Sequence, residues 1–344
     1  MERMGRTDLP PEQKRALRSA IRWEWITIGY TCVTIVLIAL VMGGSQAMKT
    51  AWVEDILSLI PQISFLLALL LIRRPPTKRF PYGLHRAMGV GHLVAGVALV
   101  AIGGSLAVES ILGLVRAEHP AIGTIRVFGQ TVWLGWLMVA VMGVTVVGPF
   151  VYGHAKGKIA PTLHNKVLYA DADMAKADWT TTAASIVGVL GIGVGWWWLD
   201  GAAATFISVG IVWDGFKNTR SAVLDLMDQR ARSYDDAEPH ELAGDIMRLL
   251  ESLPWVAAAG VRVRDMGQVF HVEAFVRPMR GRIRLDDIER ARSRIAELDW
   301  KVQDIQIVPV QDLPQEASVI GDARPAGATR RRAQSAGGGS RGRS

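Results

Sequence analysis

The chain has 344 residues, half of them hydrophobic and 21% charged, with a net charge of +7 and one cysteine. Soluble domains carry about 25% charged residues, and the deficit here is unevenly spread. No charged residue lies between Glu24 and Lys49, Asp55 and Arg73, Arg86 and Glu109, Arg126 and Lys156, or Asp178 and Asp200. That distribution excludes a soluble enzyme, a secreted disulfide scaffold and a disordered regulator.

Each uncharged stretch can hold a helix of roughly 17–25 residues, the length that crosses a bilayer. Residues 1–22 are polar and basic, and the apolar run after them is too long for a signal-peptide core. Six spans follow, at about Trp25–Gly43, Ala51–Ile72, Met88–Val115, Phe128–Tyr152, Ala172–Trp197 and Gly201–Thr219. The transmembrane domain is thus residues 23–219. The single Cys32 excludes an internal disulfide and any cysteine-based zinc cluster. Within its apolar run it reads as a small packing residue.

Positive charge gathers on one side. Arg3, Arg6, Lys14, Arg15, Arg18 and Arg22 precede span one. Arg73, Arg74, Lys78, Arg79 and Arg86 separate spans two and three, and Lys156, Lys158 and Lys166 separate four and five. The opposite connections hold only Lys49, Arg116 and Arg126. The positive-inside rule places both termini in the cytoplasm. This basic charge belongs beside membrane and lipid, so nucleic acid is not an expected partner.

Beyond the spans, residues 237–312 read as a helix over Pro239–Leu253, strands over Val261–Asp265 and Val269–Val276, a helix over Leu285–Leu298 and a strand over Val302–Val310. The order α-β-β-α-β is the ferredoxin-like pattern. A core of that size is marginal, and dimerisation would support it. Residues 313–344, with Arg330, Arg331, Arg332, Arg341 and Arg343, read as a disordered basic tail.

Ionisable side chains inside a span are costly, about 2.5–3.5 kcal/mol on insertion scales, so each is a functional candidate. Span two opens with Glu54, Asp55 and Ser58; span five opens with Asp171, Asp173, Met174, Lys176 and Asp178. Asp171, Met174 and Asp178 are spaced i, i+3, i+7 and share a helical face, as do Glu54 and Ser58 at i, i+4. Two ladders of oxygen ligands on packed helices can close around a divalent cation, and protons can replace it when it leaves. Glu54 and Asp55 point about 100° apart, so Glu54 is the first choice and Asp55 its substitute. Asp173 and Lys176 read as a self-neutralising pair. Glu109 and Asp214 read as hydrated or structural, and His92 as an interhelical hydrogen-bonding group. Gly188, Gly191 and Gly195 read as close helix packing.

The layout resembles the cation diffusion facilitator family over roughly residues 20–312. Phe80-Pro81-Tyr82-Gly83-Leu84-His85-Arg86 after span two is similar to the family's His-Pro-Tyr-Gly-His-Gly-Arg. Ala170-Asp171 leading to Asp178, Trp198-Leu199-Asp200 opening span six, and Leu226-Met227-Asp228 leaving the membrane follow in the family's order. The resemblance implies a dimeric exporter of divalent metals, driven by proton antiport with alternating access. The family's transport site is a pair of His/Asp-x-x-x-Asp motifs in spans two and five. Here those positions read Glu54-x-x-x-Ser58 and Met174-x-x-x-Asp178, so only Asp178 matches outright in span five. Phe80 and Leu84 stand where the loop motif often has His. His271 alone remains in the soluble domain, where a solvated strand face accounts for it.

A zinc-selective tetrahedron is disfavoured, because zinc prefers nitrogen and sulfur ligands in a closed site. Carboxylates suit harder ions such as Mn²⁺ or Fe²⁺, while the Met174 thioether pulls towards softer ones. Zn, Mn, Fe, Co and Ni all remain candidate substrates, and no resident cofactor is expected. The first reading is a divalent-metal efflux transporter acting as a homodimer in lipid, with protons as the coupling ion. The alternative is a transport-inactive relative acting as a membrane-anchored dimeric scaffold. An enzyme is not expected, since no Ser/His/Asp arrangement, phosphate-cradling glycine loop or H-E-x-x-H is present.

Overall fold

A computed structural model describes residues 9–127, 130–279 and 283–317. It divides into two compact units. One holds the described residues up to Glu238 together with Arg264–Phe270; the other holds Pro239–Val263 and the described residues from His271. The basic tail lies outside the described residues from 318 onwards.

The first unit is built from long helices: α1 (Pro11–Val41), α2 (Gln46–Ile72), α3 (Ala87–Val115), α4 (Leu134–Thr145), α5 (Val147–Leu163), α6 (Lys166–Gly193) and α7 (Trp198–Leu226). Among the described residues, five segments are long and apolar enough to cross a membrane: α1, α2, α3, α4 with α5, and α7. The sixth long helix, α6, is not among them. Its first half carries Lys166, Asp171, Asp173, Lys176 and Asp178, and that charge lowers its hydropathy. A long helix overlaps each of the six expected spans, and most run further at one end than the sequence suggests. α1 begins at Pro11, whose fixed φ suits a first helical turn, so Lys14, Arg15, Arg18 and Arg22 lie on the same helix as the span that follows.

Two expectations are corrected here. The helix of span four, expected from Phe128, which lies outside the described residues, starts only at Leu134. Strands β1 (Thr124–Val127) and β2 (Gln130–Trp133) pair antiparallel before it, Thr124 opposite Trp133. β-branched and aromatic residues in this stretch favour a hairpin. The helix then runs to Leu163, with an interruption at Val146. Pro149 has no N–H to give the Thr145 carbonyl. That carbonyl accepts from the Tyr30 hydroxyl at 3.1 Å, and Tyr30 also receives the Gly148 N–H at 3.3 Å. One tyrosine from α1 thereby satisfies the break. The second correction is Gly195, where an added Cβ would meet nothing within 4 Å among the described residues; its φ of +87° follows the end of α6 with a left-handed turn.

Close packing does hold elsewhere. A Cβ on Gly96 would lie 2.7 Å from the Thr219 nitrogen, and one on Gly215 would lie 2.7 Å from the Val100 nitrogen. Only glycine lets α3 and α7 approach that far. α2 is capped by Ser45, whose hydroxyl accepts from the Met48 N–H at 3.2 Å. Ser45 in turn donates to Asp200 at 2.6 Å, and Asp200 also accepts the Gln46 N–H at 2.6 Å. The fully buried Asp200 thus ties the start of α7 to the start of α2, with its negative charge at the positive end of the α2 dipole.

The second unit has the expected order: α8 (Leu242–Glu251), β3 (Val256–Asp265), β4 (Phe270–Pro278), α9 (Leu285–Ala296) and β5 (Val302–Pro309). β4 is the central strand of three. Alternate residues Phe270, Val272, Ala274 and Val276 are fully buried, and Leu242, Ile246, Leu250, Ala291 and Ile295 form the buried stripes of the two helices. This is the two-layer α/β arrangement of a ferredoxin-like domain.

Candidate metal centre

Among the described residues, no three His, Cys, Asp or Glu side chains converge closely enough to hold a metal ion. What the first unit does contain is a small cavity of about 30 Å³, room for a water or a single ion. Four spans line it: α1 with Tyr30, Thr31 and Thr34, α2 with Glu54 and Asp55, α4–α5 with Thr145 and Tyr152, and α6 with Asp178, Thr181 and Thr182. Three carboxylates and seven hydroxyl-bearing residues thus face one space. Apolar neighbours close its far end. Ile38, Ala51 and Met142 line it and also belong to the buried cluster of Val41, Met48, Met138 and Val189.

The local sequence explains the lining. Thr27, Thr31 and Thr34 follow at i, i+4, i+7 on α1 and all three are buried, a polar stripe that a lipid-facing surface would not carry. The Thr34 hydroxyl lies 3.0 Å from the Thr31 carbonyl and 2.9 Å from Asp55 Oδ2. Glu54 has Thr181 as a hydrogen-bonding partner, and Tyr152 has Thr31. Each carboxylate of α2 therefore meets a hydroxyl from a different neighbouring helix.

The five residues expected to share a site are placed apart. Glu54 and Asp178 face the cavity, and Asp55 joins them rather than replacing Glu54, because the cavity spans the angle between the two side chains. Ser58 is not among its lining residues. Its hydroxyl donates to the Asp55 carbonyl at 2.8 Å, closing on its own helix. Met174 packs against the buried cluster of Leu57, Leu99, Leu106, Ile207 and Ile211. It also lines a second, larger cavity of about 300 Å³ with His92, Asp173, Asp214 and Lys217.

Asp171 is engaged differently. Lys156 Nζ donates to Asp171 Oδ2 at 2.5 Å and to Glu24 Oε2 at 2.9 Å, and all three side chains are at most 6% exposed. Lys156 reads in the sequence as a loop charge; the structure corrects this, because α5 continues past it and carries it into the bundle. Lys166 is likewise held, by Asp225 at 2.8 Å and Asp236 at 3.0 Å.

Other polar residues fall as follows. Asp173 faces Lys217 at 3.5 Å rather than Lys176. Glu109 pairs with Lys49 at 2.5 Å where both are about half-exposed. His92 lies 3.4 Å from Asn218, an interhelical partner as expected. Cys32 is exposed, not a buried packing residue; it lies off the α1 threonine face. The loop motif after α2 meets the end of α7. Arg86 donates to the Leu226 carbonyl at 3.0 Å and pairs with Asp228.

In the second unit His271 is buried, not solvated. Its Nε2 faces Glu273 Oε1 at 3.2 Å and its Nδ1 faces Asp304. The two carboxylates address opposite ring nitrogens, so the three cannot share one ion. Burial pushes the Glu273 carboxyl up, but hydrogen bonding and charge from Arg262, 2.5 Å away, outweigh it and leave Glu273 below the usual carboxylate range.

Comparison with known proteins agrees with this architecture. The family model described as the cation efflux transmembrane domain matches residues 23–227. An uncharacterized transporter of Bacillus subtilis (strain 168), YdbO, is 23% identical over 255 residues, covering 72% of this chain and 80% of its own length. The matched segment begins two residues before Trp25 and ends at Met227, so it takes in the long helices from within α1 to the end of α7, together with the cavity and the Lys156–Glu24–Asp171 cluster. The chain belongs to the cation diffusion facilitator family, and is a membrane protein of the cation-efflux class.

Proposed function

We propose that this metal-cation transporter exports a divalent ion through the cavity between α1, α2, α4–α5 and α6, with Glu54, Asp55 and Asp178 as ligands. The carrying observation is that these three carboxylates line one cavity with no lysine or arginine among its lining residues. A divalent ion there would offset their desolvation, and protons would take its place on release. Proton antiport follows as the coupling, with the basic loops facing the cytoplasm.

The donor set favours a hard ion. Carboxylate and hydroxyl oxygens suit Mn²⁺ or Fe²⁺ better than Zn²⁺, and Ser58 and Met174 point elsewhere. Assembly as a homodimer is part of the same reading. It is supported by the small core of the second unit and by exposed Leu285, Met279 and Leu298 there.

The test uses protein reconstituted in liposomes loaded with a metal-sensitive dye. Zn²⁺, Mn²⁺, Fe²⁺, Co²⁺ and Ni²⁺ are compared with and without a pH gradient, for wild type and Asp178→Ala. The expected result is flux of Mn²⁺ or Fe²⁺ that needs both the gradient and Asp178. Absence of flux for every ion, in folded protein, would favour the scaffold role instead.

A further inference from the structure

A lysine fully buried in a membrane-spanning bundle demands an explanation, because one carboxylate neutralises it and Lys156 has two. Glu24 comes from α1 and Asp171 from α6, while Lys156 itself is on α5. One ammonium therefore joins three of the helices that enclose the cavity. Each member also stands in line with a cavity residue. Glu24 precedes Thr31 by seven positions, Asp171 precedes Asp178 by seven, and Lys156 follows Tyr152 by four. Seven helical residues rise about 10 Å and four about 6 Å, so the triad sits two turns from the cavity on α1 and α6 and one turn from it on α5.

Tyr152 connects the two. It lines the cavity, hydrogen-bonds with Thr31, and lies under the Lys156 ammonium at 5.4 Å from ring centroid to Nζ. Beyond the triad, towards the helix ends, Ala20, Ala160, Leu163, Val167 and Leu168 form an apolar cluster. Any passage from the cavity towards that end along α1, α5 and α6 must part helices that Lys156 ties together.

We propose that Lys156, Glu24 and Asp171 form an ionic lock that holds α1 against α5 and α6 and closes this end of the cavity. Lys156 is a tethered cation, and the lock opens when α1 with Glu24 moves away. The second carboxylate then has a role. When Glu24 departs, Asp171 still neutralises the lysine, so the open form buries no unpaired ammonium. The inference rests on reading the cavity as the transport cavity, but its test needs neither metal nor protons.

The reporter is Thr31→Cys in a Cys32→Ser background, labelled in proteoliposomes by a membrane-impermeant thiol reagent on the face that carries Pro11 and Leu163. The lock is removed by Lys156→Met, Glu24→Gln and Asp171→Asn together, a neutral set, since apolar or neutral replacement of a complete buried ion cluster is usually tolerated. Labelling from that face should become at least about tenfold faster, in proportion to the rise in the open population. Glu24→Gln alone frees α1 while leaving a one-to-one pair, and should label as fast as the triple variant; Glu24→Asp should keep labelling slow. Unchanged labelling in a folded triple or Glu24→Gln variant would overturn the lock. So would fast labelling in Glu24→Asp, which would make packing rather than charge the cause. A labelling difference without metal flux in wild type would retain the lock and reject the transport reading.

Discussion

Asp171 and Asp178 occupy the same face of the same helix, two turns apart, yet their surroundings differ in one respect. Asp171 is answered by a lysine and buried with it. Asp178 faces a hydroxyl-lined cavity that also holds Glu54 and Asp55. A carboxylate with a permanent counter-cation has little need of a metal, whereas one that faces other carboxylates is suited to a cation from outside. Residue type and helical phase are thus insufficient to assign a ligand. What faces the residue from the neighbouring helix carries the information.

The comparison can be broken most severely at the triad. Lys156→Ala leaves two buried carboxylates without a cation and should destabilise the protein by about 3–5 kcal/mol, read as a fall in melting temperature in detergent. The neutral triple variant should lose far less. A Lys156→Ala protein as stable as wild type would mean that the triad is solvated. At the cavity, Thr34→Val removes the hydroxyl beside Asp55 and should weaken metal binding by about tenfold, the effect of an outer-sphere partner, with stability nearly unchanged. Equal affinity in titration calorimetry would show that Asp55 does not need Thr34. At the helix start that Asp200 holds, Ser45→Ala should cost about 1 kcal/mol, again read by melting.

The smallest effect lies in the soluble unit. The Glu273 carboxyl sits below its ordinary range, so its stabilising contribution is present above the unfolded value and is lost as pH falls through the lower folded value. Arg262→Ala removes the main lowering partner and moves that loss to higher pH. Acid unfolding of the full chain followed by near-UV circular dichroism should therefore begin earlier in the variant. An unshifted acid limb would mean that solvent already screens the pair.

Much of the fold is legible in the sequence because a bilayer punishes charge so strongly. Gaps between charges mark the spans, and alternation marks the strands of the second unit. The misread elements are those in which charge or polarity is compensated by a neighbour distant in sequence. Lys156 resembles a loop residue until α1 supplies Glu24, 132 positions away. The β1–β2 hairpin hides in an apolar stretch whose β-branched residues do not distinguish strand from span. For the site, Glu54 and Asp178 are visible as carboxylates in spans, but the inclusion of Asp55 depends on how α1 packs. The threonine stripe at 27, 31 and 34 was the available signal for that face. Ser58 and Met174 share the correct helical phase with their neighbours, yet one closes on its own backbone and the other on an apolar cluster.

The most direct measurement of the central claim is equilibrium binding of Mn²⁺ to purified full-length protein, comparing wild type, Asp178→Asn and Asp171→Asn. The account predicts that Asp178→Asn lowers affinity at least about a hundredfold, more than loss of an outer-sphere partner would, while Asp171→Asn binds like wild type. Loss of binding in Asp171→Asn with retention in Asp178→Asn would contradict it, and would place the ion at the triad instead of the cavity.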